Sequence, residues 1–398
     1  HAASSWLQRR LSVCLGLLHP TMRVSVVHGL TGEALGDILL SSPSALVADL
    51  RAALASDLGL RGRWELVFEA GAGAESRRAP LGAAESLVAA GLVDGSVVHA
   101  VRVQPAVVVT ACGDRTAKLW DSFSGECLQT FEGHLMSLDS AKFSPDGDRF
   151  VSASRDYTAK IWSCCSGDCL CTLAGHVDEV RHASFSPCGR RIVTASGPTD
   201  RTAKVWDCTT GEILCTLKGH GDEVLSASFS PDGRSVITAS YDFTAKIWSG
   251  SRGLCLRTLE GHDNGLLSAE FSPSGQQAVT ASYDVTSRIF DCASGRCLQV
   301  LQGHGGTIFS ASFSPDGGLV VTASADRTAR VWDSNTGCHL TTLQGHSDLV
   351  SCGHFSPDGE KIVTASHDGT AKIWDSGSGE VLATLEGHRG CVTYAMFA

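Results

Sequence analysis

The dipeptide Gly-His closes a similar phrase seven times, at His134, His176, His220, His262, His304, His346 and His388. Successive spacings are 42, 44, 42, 42, 42 and 42 residues. The long interval has a local cause. Where neighbouring units read TASYD, the third reads TASGPTD, so Pro198 and its neighbour lengthen one turn by two residues. A fixed period of this size marks a chain built from stacked copies of one small unit, each too small to bury its own apolar face.

Each unit reads as four short strands. After Gly-His and a polar loop comes an alternating run such as VLSASF, residues 224–229. SPDG follows, with Pro early and Gly late, as a tight turn requires. A β-rich run such as SVITAS comes next, then a turn carrying Asp, then TAKIW, a Gly/Ser linker and CLRTLEGH. Turns every eight to twelve residues are the pattern of an all-β array. A lone four-stranded sheet has two bare faces and two edges. Stacking such sheets radially buries the faces and protects the edges.

Gly-His, SPDG, the turn Asp and Trp-Asp recur in register, and on these residues the stretch 106–398 resembles the WD-repeat family of β-propellers. Six units carry the tryptophan, at Trp120, Trp162, Trp206, Trp248, Trp332 and Trp374; the fifth reads SRIFD, with Phe290 in its place. The first unit lacks an opening strand and the last Gly-His is followed by one opening strand only. Residues 390–397 are therefore expected to pair beside 106–131. The expected fold is mainly β, a seven-bladed propeller closed by the C-terminal strand.

In the second unit, His134, Ser152, Asp156 and Trp162 invite comparison with a hydrolase triad. Near-copies recur as His176, Asp200 and Trp206; His220, Thr238, Asp242 and Trp248; His304, Thr322, Asp326 and Trp332; and His346, Thr364, Asp368 and Trp374. Copies spread round a ring cannot converge on one substrate. The resemblance implies that each set is a hydrogen-bonded tetrad tying its blade together, so no catalytic residue is assigned.

Composition narrows the partners. Thirty-two basic against 42 acidic residues give a net charge of −10. That is a poor surface for nucleic acid, which demands a basic one. No apolar run approaches the roughly 18–20 residues that span a bilayer. Cys127, Cys169, Cys255 and Cys297 fall at equivalent repeat positions, so their spacing reflects repetition rather than ligation. Cys164, Cys165, Cys169 and Cys171 form the one tight cluster and leave open a metal protein or an enzyme. Otherwise no cofactor is expected. Many unpaired thiols fit a reducing compartment, the cytoplasm with the nucleus not excluded.

Ahead of the repeats, residues 1–21 are expected to form a disordered leader, their seven-residue apolar run being short for a secretory signal. Residues 22–103 read as strand, strand, helix, strand, strand. MRVSVVHG and DILLSS are the first two strands. SALVADLRAALASDLGL carries Leu46, Leu50, Leu54 and Leu58 at four-residue intervals, a helical period. WELVFEAG and GLVDGSVVHAV resemble the third and last strands of the ubiquitin-like β-grasp fold. An α+β ubiquitin-like domain, acting as a docking module or a lid, is therefore expected before a propeller of 104–398.

In the WD-repeat family, partners bind the face where the opening strands begin. The position after the first apolar residue of each opening strand supplies Asp139, Arg181, Leu225, Leu267, Phe309, Ser351 and Thr393. The position before the turn Asp supplies Arg155, Tyr241, Tyr283 and His367, among others. Leu225, Tyr241, Leu267, Tyr283 and Phe309 are expected to form an apolar arc, with Arg155, Arg181, Asp139 and His367 beside it. Clustered exposed aromatics are typical of interface anchors. The function expected is a non-enzymatic scaffold or adaptor binding proteins or peptides, as a monomeric propeller within a larger complex. Two narrower readings stand beside it. Arg155 and Arg181 suit a phosphopeptide receptor in a ubiquitin-linked complex. The wording TAKIWD and ARVWD also resembles WD-repeat factors that assemble ciliary dynein arms.

Overall fold

The computed structural model describes residues 107–398 continuously and, before them, five strands: β1 (Arg10–Leu18), β2 (Thr21–His28), β3 (Ala34–Leu40), β4 (Arg63–Glu69) and β5 (Val97–Val103). The chain divides into two compact units, 1–105 and 106–398.

The first unit contains one antiparallel sheet of order β3-β2-β1-β5-β4. This corrects one expectation, because β1 lies inside the stretch read as a disordered leader. Leu11, Val13, Leu15 and Leu17 alternate with Ser12, Cys14 and Gly16, a period of two that marks a strand more than a targeting run. The ubiquitin-like reading rests on the other four strands and takes no account of β1 between β2 and β5. The helix expected over residues 44–60 lies outside the described residues.

The second unit is a propeller of seven four-stranded antiparallel sheets. The inner strands of blades 2 to 7 are Leu138–Phe143, Val180–Phe185, Val224–Phe229, Leu266–Phe271, Ile308–Phe313 and Val350–Phe355. In blade 1 that place is taken by Val392–Phe397, which pairs antiparallel with Val107–Cys112. The ring therefore closes where the sequence indicates, and the Ala398 N–H donates to the Val107 carbonyl at 2.9 Å.

The core lies between blades rather than within them. Val151 and Ile161 of blade 2 pack with Val180, Phe185 and Trp206 of blade 3, and the same interdigitation recurs around the ring. Each fully buried Val, Ile or Phe here contributes roughly 1.5–3 kcal/mol. The second strand of every blade is buried along almost its whole length because blades cover both of its faces. This accounts for near-continuous apolar runs such as RIVTAS.

Candidate functional site

A β-bulge opens every inner strand. Val180 pairs with Ser196 and His182 with Ala195, so Arg181 is the extra residue. The same shift skips Asp139, Leu225, Leu267, Phe309, Ser351 and Thr393. A bulge re-aims its side chain out of the ladder. All seven bulged residues line one cavity of about 320 Å³ at the mouth of the central channel, together with Arg155 and Tyr283.

On the side of blades 4 to 6 this mouth is apolar. Leu225, Leu267, Phe309 and Tyr283 line it, and Tyr241 meets Tyr283 edge-on with ring centroids 5.6 Å apart. Tyr241 and Tyr283 are 38% and 37% exposed, which is large for paired aromatic rings. Tyr241 lies on Gly265, where an added Cβ would sit 2.6 Å from its Cδ2. Phe243, exposed and 6.5 Å from the Tyr241 ring, extends the arc. Sequence reasoning missed Phe243, although its place directly after the turn Asp could have flagged it. His367 sits at the corresponding loop of blade 7, its N–H bonded to the Leu349 carbonyl, outside the set that lines the mouth.

The opposite side is charged and internally paired. Arg155 Nε donates to Asp139 at 3.1 Å. Arg181 reaches Asp139 at 3.2 Å, Glu179 at 2.8 Å and Glu223 at 3.5 Å. Burial pushes the Glu223 carboxyl up, and the adjacent guanidinium of Arg181 only partly offsets it. Two guanidinium groups thus share three carboxylates. A phosphate would have to displace those carboxylates to use them.

The tetrads lie beneath this face. In blade 2, His134 Nδ1 is 2.8 Å from Asp156, and its Nε2 is 2.7 Å from the Ser152 hydroxyl. Trp162 Nε1 donates to the same hydroxyl at 2.8 Å. The sets led by His176, His220, His304 and His346 repeat these contacts with Asp200, Asp242, Asp326 and Asp368. Trp206, Trp248, Trp332 and Trp374 donate to Thr194, Thr238, Thr322 and Thr364. Each hydroxyl is fully buried, bonded to a histidine and capped by an indole, so it presents no nucleophile to solvent.

Sequence reasoning overlooked Thr194 and two further sets. Blade 5 joins His262, Thr280 and Asp284, with Phe290 buried where the indole would lie. Blade 1 joins His388 to Thr110 at 2.7 Å and to Asp114 at 3.1 Å, with Trp120 donating to Thr110. Its parts come from opposite ends of the propeller sequence, which hides it from a unit-by-unit reading.

Burial raises each tetrad carboxyl, but hydrogen bonds prevail. The Thr328 hydroxyl, the Gly305 N–H and His304 hold Asp326 to about 2. Burial also lowers His134, His176, His262, His304, His346 and His388, more than their aspartates raise them. The imidazoles are therefore neutral at pH 7, with Nδ1–H donating to Asp and Nε2 accepting from the hydroxyl.

All cysteines within 107–398 are free. Cys127, Cys169, Cys255 and Cys297 each place Sγ near the carbonyl two residues ahead, a repeated strand contact. The Cys164–Cys171 cluster does not gather its sulfurs as a metal site would. Among the described residues, the one group of three metal-capable side chains with ligating atoms within 4.8 Å is Cys112, Asp114 and His388. That group is the blade 1 tetrad. Cys112 occupies the place of Ser154 or Ser240, accepting the N–H of the tetrad Asp, and burial pushes its thiol up to about 12.

The family described as WD domain, G-beta repeat matches residues 125–163, 167–207, 211–249, 253–291, 295–333 and 337–375. WD repeat-containing protein 37 of Mus musculus is 42% identical over 57 residues, 14% of this chain and 12% of that protein. The Denticleless protein homolog of Danio rerio is 56% identical over 36 residues, 9% of this chain and 6% of its own length. The nuclear distribution protein PAC1 of Mycosarcoma maydis is 42% identical over 45 residues, 11% of this chain and 10% of that protein. The chain thus spans only 12% of the length of the first of these relatives. Propellers of this type are generally non-enzymatic interaction scaffolds, and the six repeat matches together cover more than half of the chain, which therefore belongs to the WD-repeat family.

Proposed function

We propose that this scaffold holds a protein or peptide partner at the channel mouth, anchored on Leu225, Tyr241, Leu267, Tyr283 and Phe309. The supporting observation is the exposed Tyr241–Tyr283 pair beside the bulged residues of blades 4 to 6. Buried aromatic anchors dominate interface energies, so the loss of two should weaken binding strongly. Pull-down with Tyr241→Ala plus Phe309→Ala is expected to lose partners retained by the unmodified chain, at equal circular dichroism. Retention of every partner by a folded double variant would refute the site. The free thiols support a reducing compartment, the cytoplasm or nucleus. For the N-terminal unit we propose a second docking module of ubiquitin-like type, supported by β2, β3, β4 and β5 at the positions the sequence pattern marks.

A further inference from the structure

On the face opposite the channel mouth, SPDG turns and strand-end turns of neighbouring blades meet. Between blades 2 and 3 this seam is filled by Arg149. Its guanidinium lies 5.6 Å from the Phe185 ring centroid and donates to Cys208 Sγ at 3.2 Å and to the Gly189 carbonyl at 3.5 Å. Between blades 3 and 4 Arg191 does the same. It stands 5.1 Å from the Phe229 centroid and donates to the carbonyls of Gly250, at 3.0 Å, and Gly233. Fifteen residues after its Gly-His, each of blades 2 to 7 has one such position; blades 5 to 7 carry Gln277, Leu319 and Lys361 there.

Blade 4 carries Ser235, the shortest side chain of the series. At the seam it should fill, a groove of about 610 Å³ opens, lined by Ser235, Phe271, Gly275 and Cys292. Phe271 is the counterpart of Phe229, Gly275 of Gly233, and Cys292 of Gly250. The carbonyls of Gly275 and Cys292 accept no hydrogen bond among the described residues. Asp232 and Asp291 line the rim. The only cation among the lining residues, Arg257, is bound to the Ala293 carbonyl.

We propose that this groove is a docking site for an arginine side chain of a partner protein. The aromatic face and the two carbonyls reproduce the setting that blade 4 supplies to Arg191, and the two rim carboxylates add the kind of charge that Arg149 meets in Asp146 at 3.7 Å. A planar fork with several donors on a cation suits them, and a point ammonium suits them less well. This site lies on the other face from the channel mouth and stands independently of the proposed function.

The full chain, titrated with N-acetylarginine methylamide and followed by saturation-transfer NMR, tests it. A saturable response in the millimolar range is expected for so small a probe. The lysine counterpart should bind several-fold more weakly and the uncharged citrulline counterpart about tenfold more weakly. Ser235→Arg, which fills the groove from within, should abolish the response without lowering the melting temperature. Asp291→Asn keeps the exposed turn acceptor and removes a rim charge, so it should weaken arginine several-fold and leave citrulline unchanged. No saturable response in the unmodified chain, an undiminished one in Ser235→Arg, or equal binding of arginine and citrulline would each overturn the proposal.

Discussion

The residue after each tetrad Asp stands in the left-handed region of backbone space. Arg115, Tyr157, Arg201, Phe243, Val285 and Arg327 have φ between 53° and 73°, and Gly369 has 86°. The preceding Asp captures the backbone N–H two residues on and leaves no alternative turn. For a β-branched residue this conformation costs about 1–3 kcal/mol, so Val285, at 66°, is the costliest of the set. Val285→Gly is expected to stabilise the fold by about 1 kcal/mol, after the entropy that glycine loses on folding. A urea midpoint that shifts upward checks this, and an unchanged or lower one would show that Val285 makes compensating contacts. This strain was invisible in the sequence, where position 285 reads as one more variable turn residue. The tetrads were legible in contrast, because His, Ser or Thr, Asp and Trp recur at constant offsets.

At the level of the blade, the four strands and their order followed from turn chemistry and alternation. The bulge did not. Its trace is a break in alternation, as in Val224-Leu225 and Leu266-Leu267, where two apolar residues stand together and the second leaves the ladder. Sequence reasoning identified the bulged positions by place but not by mechanism, and so could not foresee that Arg155 and Arg181 spend their charge on neighbouring carboxylates. The blades of His134, His176, His262, His304, His346 and His388 also carry an acid-sensitive bond. The depressed histidines bind protons less readily folded than unfolded. Their contribution is complete above the unfolded value near 6.5 and is lost as pH falls through it toward the folded one. The depressed carboxyls add a second loss below about 3.9. Urea midpoints should hold between pH 7 and 8 and decline from about pH 6.5 downward. A midpoint unchanged at pH 5 would mean that the imidazoles accept protons in place.

Across the whole ring, inner strands are tied side to side. The Ser226 hydroxyl accepts the Ala269 N–H at 3.0 Å, Ser310 accepts that of Gly353 at 3.1 Å, and Cys352 Sγ that of Ala395 at 3.0 Å. Thr393 continues the belt into blade 2 by donating to the Leu138 carbonyl at 2.8 Å. The last inner strand therefore bonds to its own blade and to both neighbouring blades. Deleting residues 390–398 should leave blade 1 with three strands and expose the Val107–Cys112 edge. The truncated chain is expected to aggregate or to lose its sharp thermal transition in calorimetry; a transition retained at the same temperature would mean that the ring does not depend on its junction.

Family matches run from the outer strand of one blade through the third strand of the next, as in 125–163. Sequence unit and structural unit are thus out of phase by one strand. Unequal crossing-over between near-identical copies would then add or remove a whole repeat with the junction at Val392–Phe397 untouched. Paralogues of larger or smaller circumference could arise in a single genetic step, with no intermediate that carries an unpaired rim.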